Sequence, residues 1–143
     1  GAPFDDIHHP LAAQLKPGMH LTTEVIAVRD IPVGDTVGYG STWTASRPST
    51  IATLAIGYAD GYPRHAPTGT PVAVNGQRVP LVGRVSMDMI TVDVTDIDPV
   101  SLGDRAELWG KTVSINEVAE QVSTISYDLM TSITTRVPKQ YSE

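Results

Sequence analysis

The sequence predicts an all-β fold: a closed or nearly closed antiparallel β-barrel of about six strands, with small C-terminal helices. Three observations lead there. Eleven prolines and twelve glycines are spread evenly along the chain, leaving pieces about eight to twelve residues apart, the spacing of a barrel or sandwich. Asn75-Gly76 separates the apolar runs Val72-Ala73-Val74 and Arg78-Val79-Pro80-Leu81-Val82, a strong hairpin signal because a type I′ turn needs positive φ at both central residues. Ile31-Pro32-Val33-Gly34-Asp35 and Val100-Ser101-Leu102-Gly103-Asp104 repeat one loop pattern, apolar residues followed by Gly-Asp, that turns the chain back into a sheet.

Taken in order, His8-His9-Pro10-Leu11 heads a short amphipathic stretch to Leu15, read as a linker helix. Strands are predicted over 19–29, 36–38, 50–56, 71–74, 77–84, 89–94 and 105–108, each an apolar segment set off by Gly, Pro or Asp. The third of the loops between them matters most: Ala52 to Ile56 read as a buried strand, and Gly57 and Gly61 let the backbone leave it sharply. Ser114 caps a helix over 115–122, with Glu117 three residues on completing a capping box. Ile115, Val118, Ala119 and Val122 fall at helical spacing and form a core-facing stripe. A second helix is expected from Thr124 or Ser126 through Ile133.

The 143 residues are enough for one domain that buries about two-thirds of its unfolded surface. Hydrophobic residues make up 41% and charged residues 18%, a balance that argues against disorder. A net charge of -6 and a pI near 5.0, without a local Lys/Arg cluster, disfavour nucleic acid and anionic membrane as partners. With no cysteine, disulfides and thiolate metal sites are excluded, and a cytoplasmic location is compatible. The first residues lack the basic start and apolar run of a signal peptide; without an initial Met they read as a piece of a longer polypeptide, with Gly1 and Ala2 as added residues.

Candidate chemistry narrows quickly. His8 and His9 are adjacent in sequence and near only Asp5 and Asp6, whereas zinc needs ligands converging from rigid elements; no metal site is expected. Asp60, Asp88, Asp93, Asp96 and Asp98 match no acid-base or calcium-loop spacing, and the last three read as a solvated loop before Pro99. Gly38-Tyr39-Gly40-Ser41-Thr42 is too short for a phosphate loop, and no Gly-x-Ser-x-Gly elbow is present. What remains is tyrosine. Tyr58, at the strand exit in Ile56-Gly57-Tyr58-Ala59-Asp60-Gly61-Tyr62-Pro63-Arg64, has an anchored ring and a free hydroxyl, although spacing alone favours a structural turn whose tyrosines pack on neighbouring loops.

That segment, together with Val37-Gly38-Tyr39-Gly40-Ser41-Thr42-Trp43 and Val82-Gly83-Arg84-Val85-Ser86-Met87-Asp88-Met89, resembles in order and spacing the C-terminal domain of bacterial alanine racemases. The tail from Ile125-Ser126-Tyr127 to Thr135-Arg136-Val137-Pro138 is similar as well, so the resemblance runs from about Leu15 to Tyr141. It implies residues 1–15 as a linker or remnant of a preceding barrel and 16–143 as the alanine racemase β-barrel domain. Members of this family are homodimers whose N-terminal (β/α)8 barrel carries pyridoxal phosphate, each active site combining one subunit's barrel with the other's β-domain.

By that resemblance Tyr58 is the catalytic tyrosine, delivered in trans as one of two bases flanking the α-carbon of alanine. Inversion requires removing a proton on one face and returning one on the other. The second base is the barrel's Schiff-base lysine; Lys16, Lys111 and Lys139, the lysines here, lie outside the family's lysine motif. Met87 resembles the residue whose backbone N–H holds the substrate carboxylate, and Tyr127 the tyrosine that reaches the cofactor phosphate and narrows the entrance. Tyr39, Tyr62, Arg64, Arg84 and Asp88 are read as holding loops or the dimer contact, and Arg136 as structural. The implied function is an isomerase interconverting L- and D-alanine for peptidoglycan, in which these 143 residues alone are inactive. Two alternatives stay open: a racemase domain of broader specificity, and a non-catalytic β-barrel binding module using Tyr58 and Tyr62 as surface recognition residues.

Overall fold

The computed structural model describes residues 20–38 and 42–122. Eight strands follow one another: β1 (Leu21–Ile31), β2 (Thr36–Val37), β3 (Trp43–Thr44), β4 (Ser49–Leu54), β5 (Pro71–Val74), β6 (Gln77–Pro80), β7 (Ile90–Asp93) and β8 (Arg105–Trp109). A 3-10 turn, Tyr58–Asp60, lies between β4 and β5, and helix α1 (Ile115–Gln121) follows β8. Six strands form one sheet in the order β6-β5-β8-β1-β4-β7, every pairing antiparallel.

The sheet's two ends meet. Leu81, one residue past β6, bridges Val92 of β7, and the Val82 N–H donates to the Thr91 carbonyl at 2.9 Å. The result is the nearly closed six-strand barrel that the turn spacing predicts. Closure removes most of the exposed edge that an open sheet would present.

Alternation along the strands fills the inside. Ala52 and Leu54 of β4, Val72 and Val74 of β5, Ile90 and Val92 of β7 and Ala106 and Leu108 of β8 all enter one buried cluster with Val25. Ile51 points to the other face of β4, as a pleated strand requires, and joins Ile31, Val37, Ala45 and Val82 in a second cluster against Trp43. The β2–β3 hairpin thus lies over the barrel wall and buries what would otherwise be a bare apolar patch. Strand β3 is absent from the sequence-based prediction because Trp43-Thr44 is too short to show a period.

Strand limits also move, for local reasons. The strand expected over 50–56 ends at Leu54 because the Ile56 N–H folds back onto the Leu54 carbonyl at 2.9 Å. The strand expected over 77–84 ends at Pro80; proline has no N–H for a ladder, and the chain there changes partner from β5 to β7. Asp93 belongs to β7, as the strand expected over 89–94 has it, and not to the solvated loop read with Asp96 and Asp98. Strand β1 runs on to Ile31, paired with Ser49 of β4, and breaks register between Val25 and Ala27, which leaves Ile26 exposed. The Asn75-Gly76 hairpin is as expected, with φ of 52° and 79°. The linker helix to Leu15, the helix from Thr124 or Ser126 and the His8-His9 pair lie outside the described residues.

The capping box of α1 forms: the Glu117 N–H donates to Ser114 Oγ at 3.0 Å and the Ser114 N–H to Glu117 Oε1 at 3.4 Å. Arg78 of β6 also donates to the Glu117 carboxylate. The Arg78 guanidinium, with the Ser114 N–H adding to it, holds the Glu117 carboxyl below its ordinary range. A carboxyl lowered by folding stabilises the fold above its unfolded value, and that stabilisation is lost as pH falls through the folded one. Because both side chains are partly exposed, the pair is worth less than about 1 kcal/mol. Glu117→Gln is expected to lower the urea midpoint slightly at pH 7, with the gap to wild type closing below about pH 4; a gap independent of pH would contradict this.

Candidate active site

Two loops at the ends of β4 and before β7 carry the site, and the backbone joins them. The Tyr58 N–H donates to the Ser86 carbonyl at 3.0 Å and the Ala59 N–H to the Met87 carbonyl at 2.9 Å. This contact needs Gly57. Its φ of -150° suits any residue; space decides, because a Cβ there would stand 2.4 Å from the Ser86 carbonyl oxygen and 2.5 Å from that of Met87.

Each loop is braced internally. Asp60 is buried, and its Oδ2 accepts the Gly57 N–H at 3.0 Å. The Asp60 and Tyr62 N–H groups both donate to the Gly57 carbonyl, at 3.0 and 3.3 Å, and the Gly61 N–H to that of Tyr58 at 3.1 Å. On the other loop the Ser86 N–H donates to the Met89 carbonyl at 3.0 Å, and Ser86 Oγ both donates to that carbonyl and accepts the Met89 N–H. The Arg84 N–H is held by Thr42 Oγ1 at 2.9 Å.

What these braces present is specific. The Tyr58 ring is half-buried against the core, and its hydroxyl has no hydrogen-bond partner among the described residues. The Arg64 guanidinium carbon lies 4.9 Å from the centroid of that ring. Met87 is 53% exposed, and its N–H, between two carbonyls already taken, also pairs with nothing among the described residues. A donor N–H and a phenol on two rigidly joined turns can orient a carboxylate and exchange a proton beside it.

Structure therefore brings Tyr58 and Met87 together, whereas Tyr127 and Tyr39 lie outside the described residues. Tyr62 departs from its reading as a loop or dimer contact. It is 2% exposed, stacks on Trp109 with ring centroids 6.4 Å apart, and burial pushes its phenol far above the ordinary range. It is a core anchor, which removes it as a surface recognition residue. Arg64, by contrast, does hold a loop residue, and that residue is Tyr58. The role of Asp60 as a buried cap and of Gly57 as a contact point escapes spacing analysis; the box-like placement of Asp60 three residues after Gly57 is the signal that could have found the first. Among the described residues no three His, Asp or Glu side chains converge as a metal set, and no helix among them is long and apolar enough to cross a membrane.

The fold is that of a small, nearly closed antiparallel barrel domain in which a tyrosine turn and a second turn are joined through their backbones. Residues 18–141 match the family described as "Alanine racemase, C-terminal domain". The chain belongs to that family. It is 59% identical over 127 residues to an alanine racemase of Stutzerimonas stutzeri, an alignment covering 89% of this chain and 36% of that protein. The fold matches the crystal structure of the biosynthetic alanine racemase of Pseudomonas aeruginosa with a TM-score of 0.87 and 50% identity, over 93% of this chain and 37% of that one. An alanine racemase from Bartonella henselae with covalently bound pyridoxal phosphate matches with a TM-score of 0.81 and 39% identity, over 86% of this chain and 34% of that one. The chain thus spans little more than a third of the length of these relatives.

Proposed function

We propose that residues 16–143 are the β-domain of a homodimeric, cytoplasmic, pyridoxal-phosphate-dependent alanine racemase that supplies D-alanine for peptidoglycan, residues 1–15 leading in from its N-terminal barrel. The observation that carries the reading is the double backbone bond from Tyr58 and Ala59 to Ser86 and Met87. It joins the backbone of Tyr58, in this reading the proton-exchanging group, to that of Met87, in this reading the carboxylate donor, and supports the pairing that racemisation of an amino acid requires on this side of the substrate.

The residues present fit a wall facing the cofactor rather than its anchor. Tyr58 and Met87 are open to a neighbour, while Lys111, the lysine among the described residues, is exposed in the turn between β8 and α1. When bound, pyridoxal phosphate supplies an electron sink for the charge left at the α-carbon. In this reading the Met87 N–H holds the alanine carboxylate and so sets which face of the α-carbon Tyr58 meets. Tyr58 Oη then takes or returns the proton on that face, in trans, and the barrel's lysine serves the opposite face. Tyr127, by the resemblance, would reach the cofactor phosphate.

The 143-residue chain, given pyridoxal phosphate and L-alanine, is expected to form no D-alanine above background, whereas the full-length dimer should racemise it readily. Chiral chromatography of the products tests both arms. Turnover by the 143 residues alone would overturn the division of labour, and inactivity of the full-length protein toward alanine would overturn the substrate.

A further inference from the structure

Every brace described above acts on the backbone of Tyr58. None of them acts on its side chain, whose ring packs against the core on one side and whose hydroxyl has no partner among the described residues. The contact made on the ring itself by a charged group comes from Arg64, whose guanidinium carbon stands 4.9 Å from the ring centroid, within the range of a cation–π interaction.

The chain is built to put Arg64 there. Two residues earlier Tyr62 is sunk in the core against Trp109, and Pro63 between them has a fixed φ. The Ala66 N–H closes the next turn on the Pro63 carbonyl at 3.2 Å. Arg64 thus starts from an anchored backbone although its own side chain is exposed. Among the described residues it pairs with no carboxylate, in contrast to Arg47 and Arg78, and its guanidinium lies over the ring.

We infer that Arg64 is a positioning residue for Tyr58: its guanidinium, lying over the ring, fixes the direction in which the hydroxyl points. The inference rests on the proposed function, since it gives Arg64 a role only if Tyr58 exchanges a proton. A planar cation on a ring face is attracted to the ring's negative quadrupole, which restrains the ring against rotation. A ring held in this way keeps its hydroxyl at one distance and angle from a reacting atom, which is what proton exchange there requires.

The test uses the full-length holoenzyme with Arg64→Met, which keeps the length of the stem and removes the charge, Arg64→Lys, which keeps charge without the plane, and Tyr58→Phe. Arg64→Met is expected to lower kcat about tenfold with KM within twofold of wild type, and Arg64→Lys to fall between the two. The α-deuterium isotope effect in Arg64→Met should rise in the direction in which Tyr58 removes the proton and fall in the reverse direction, where the slowed Tyr58 step returns a proton that does not come from the labelled position. A contact that only supports the loop would move both directions alike or neither, and that result overturns the inference, as does wild-type kcat in Arg64→Met. If Tyr58→Phe itself retains full activity, the proposed function fails; if Tyr58→Phe is impaired while both Arg64 variants behave as wild type, only the role of Arg64 fails. Matching circular dichroism and urea midpoints for the variants exclude misfolding as the source of a loss.

Discussion

Tyr58→Phe in the full-length enzyme is expected to reduce racemisation about a thousandfold, in the middle of the range that positioned acid–base groups contribute, with little change in the stability of the domain. The two halves of this expectation have separate grounds. The hydroxyl makes no hydrogen bond among the described residues, so its removal leaves no polar group of the fold unpaired. The phenylalanine ring keeps both the core contact of Tyr58 and the face on which Arg64 rests. What is lost is therefore the proton carrier alone. Steady-state rates in both directions, with thermal unfolding as control, check it; a variant within tenfold of wild type would remove Tyr58 from the chemistry, and a binding module would lose no racemisation at all.

Gly57→Ala is the second large effect, and it arises without touching any reacting group. An added Cβ would meet the Ser86 carbonyl oxygen at 2.4 Å, the Met87 carbonyl oxygen at 2.5 Å and the Met87 carbonyl carbon at 2.6 Å. All three are backbone atoms, so no side chain can swing away, and the two loops must part. Parting them stretches the bonds from Tyr58 to Ser86 and from Ala59 to Met87, the two that set the phenol relative to the Met87 N–H. A displacement of about 1 Å at a reacting centre costs about a hundredfold in rate, and the overlap with the strained bonds should cost about 3 kcal/mol of stability. Activity and urea unfolding of Gly57→Ala test the two together. Wild-type behaviour in both would mean that the loops can separate without consequence and that the backbone junction does not set the site.

These two positions also mark how differently fold and site are written in the sequence. The barrel was legible because its signals are local: Asn75-Gly76 dictates its own turn through backbone conformation, Ser114 and Glu117 cap their own helix, and alternating apolar residues need only a pleat to share a face. Strand ends were less legible because they depend on partners, as at Pro80, where the chain passes from β5 to β7. Tyr58 and Met87 could be picked out by resemblance, yet 29 positions separate them along the chain, and no local pattern says that they meet.

The sequence by itself determined the class of fold, the turn that carries Tyr58 and the family to which the chain belongs, since each rests on short-range conformational preferences or on the order of motifs. Tertiary structure alone decided that Tyr62 is a core anchor, that Gly57 is the point where two loops touch, and that Arg64 covers the ring of Tyr58. The physical reason is common to all three. Close approach, burial and ring stacking are relations between segments brought together by folding, and a residue's own type and neighbours do not encode what will be packed against it.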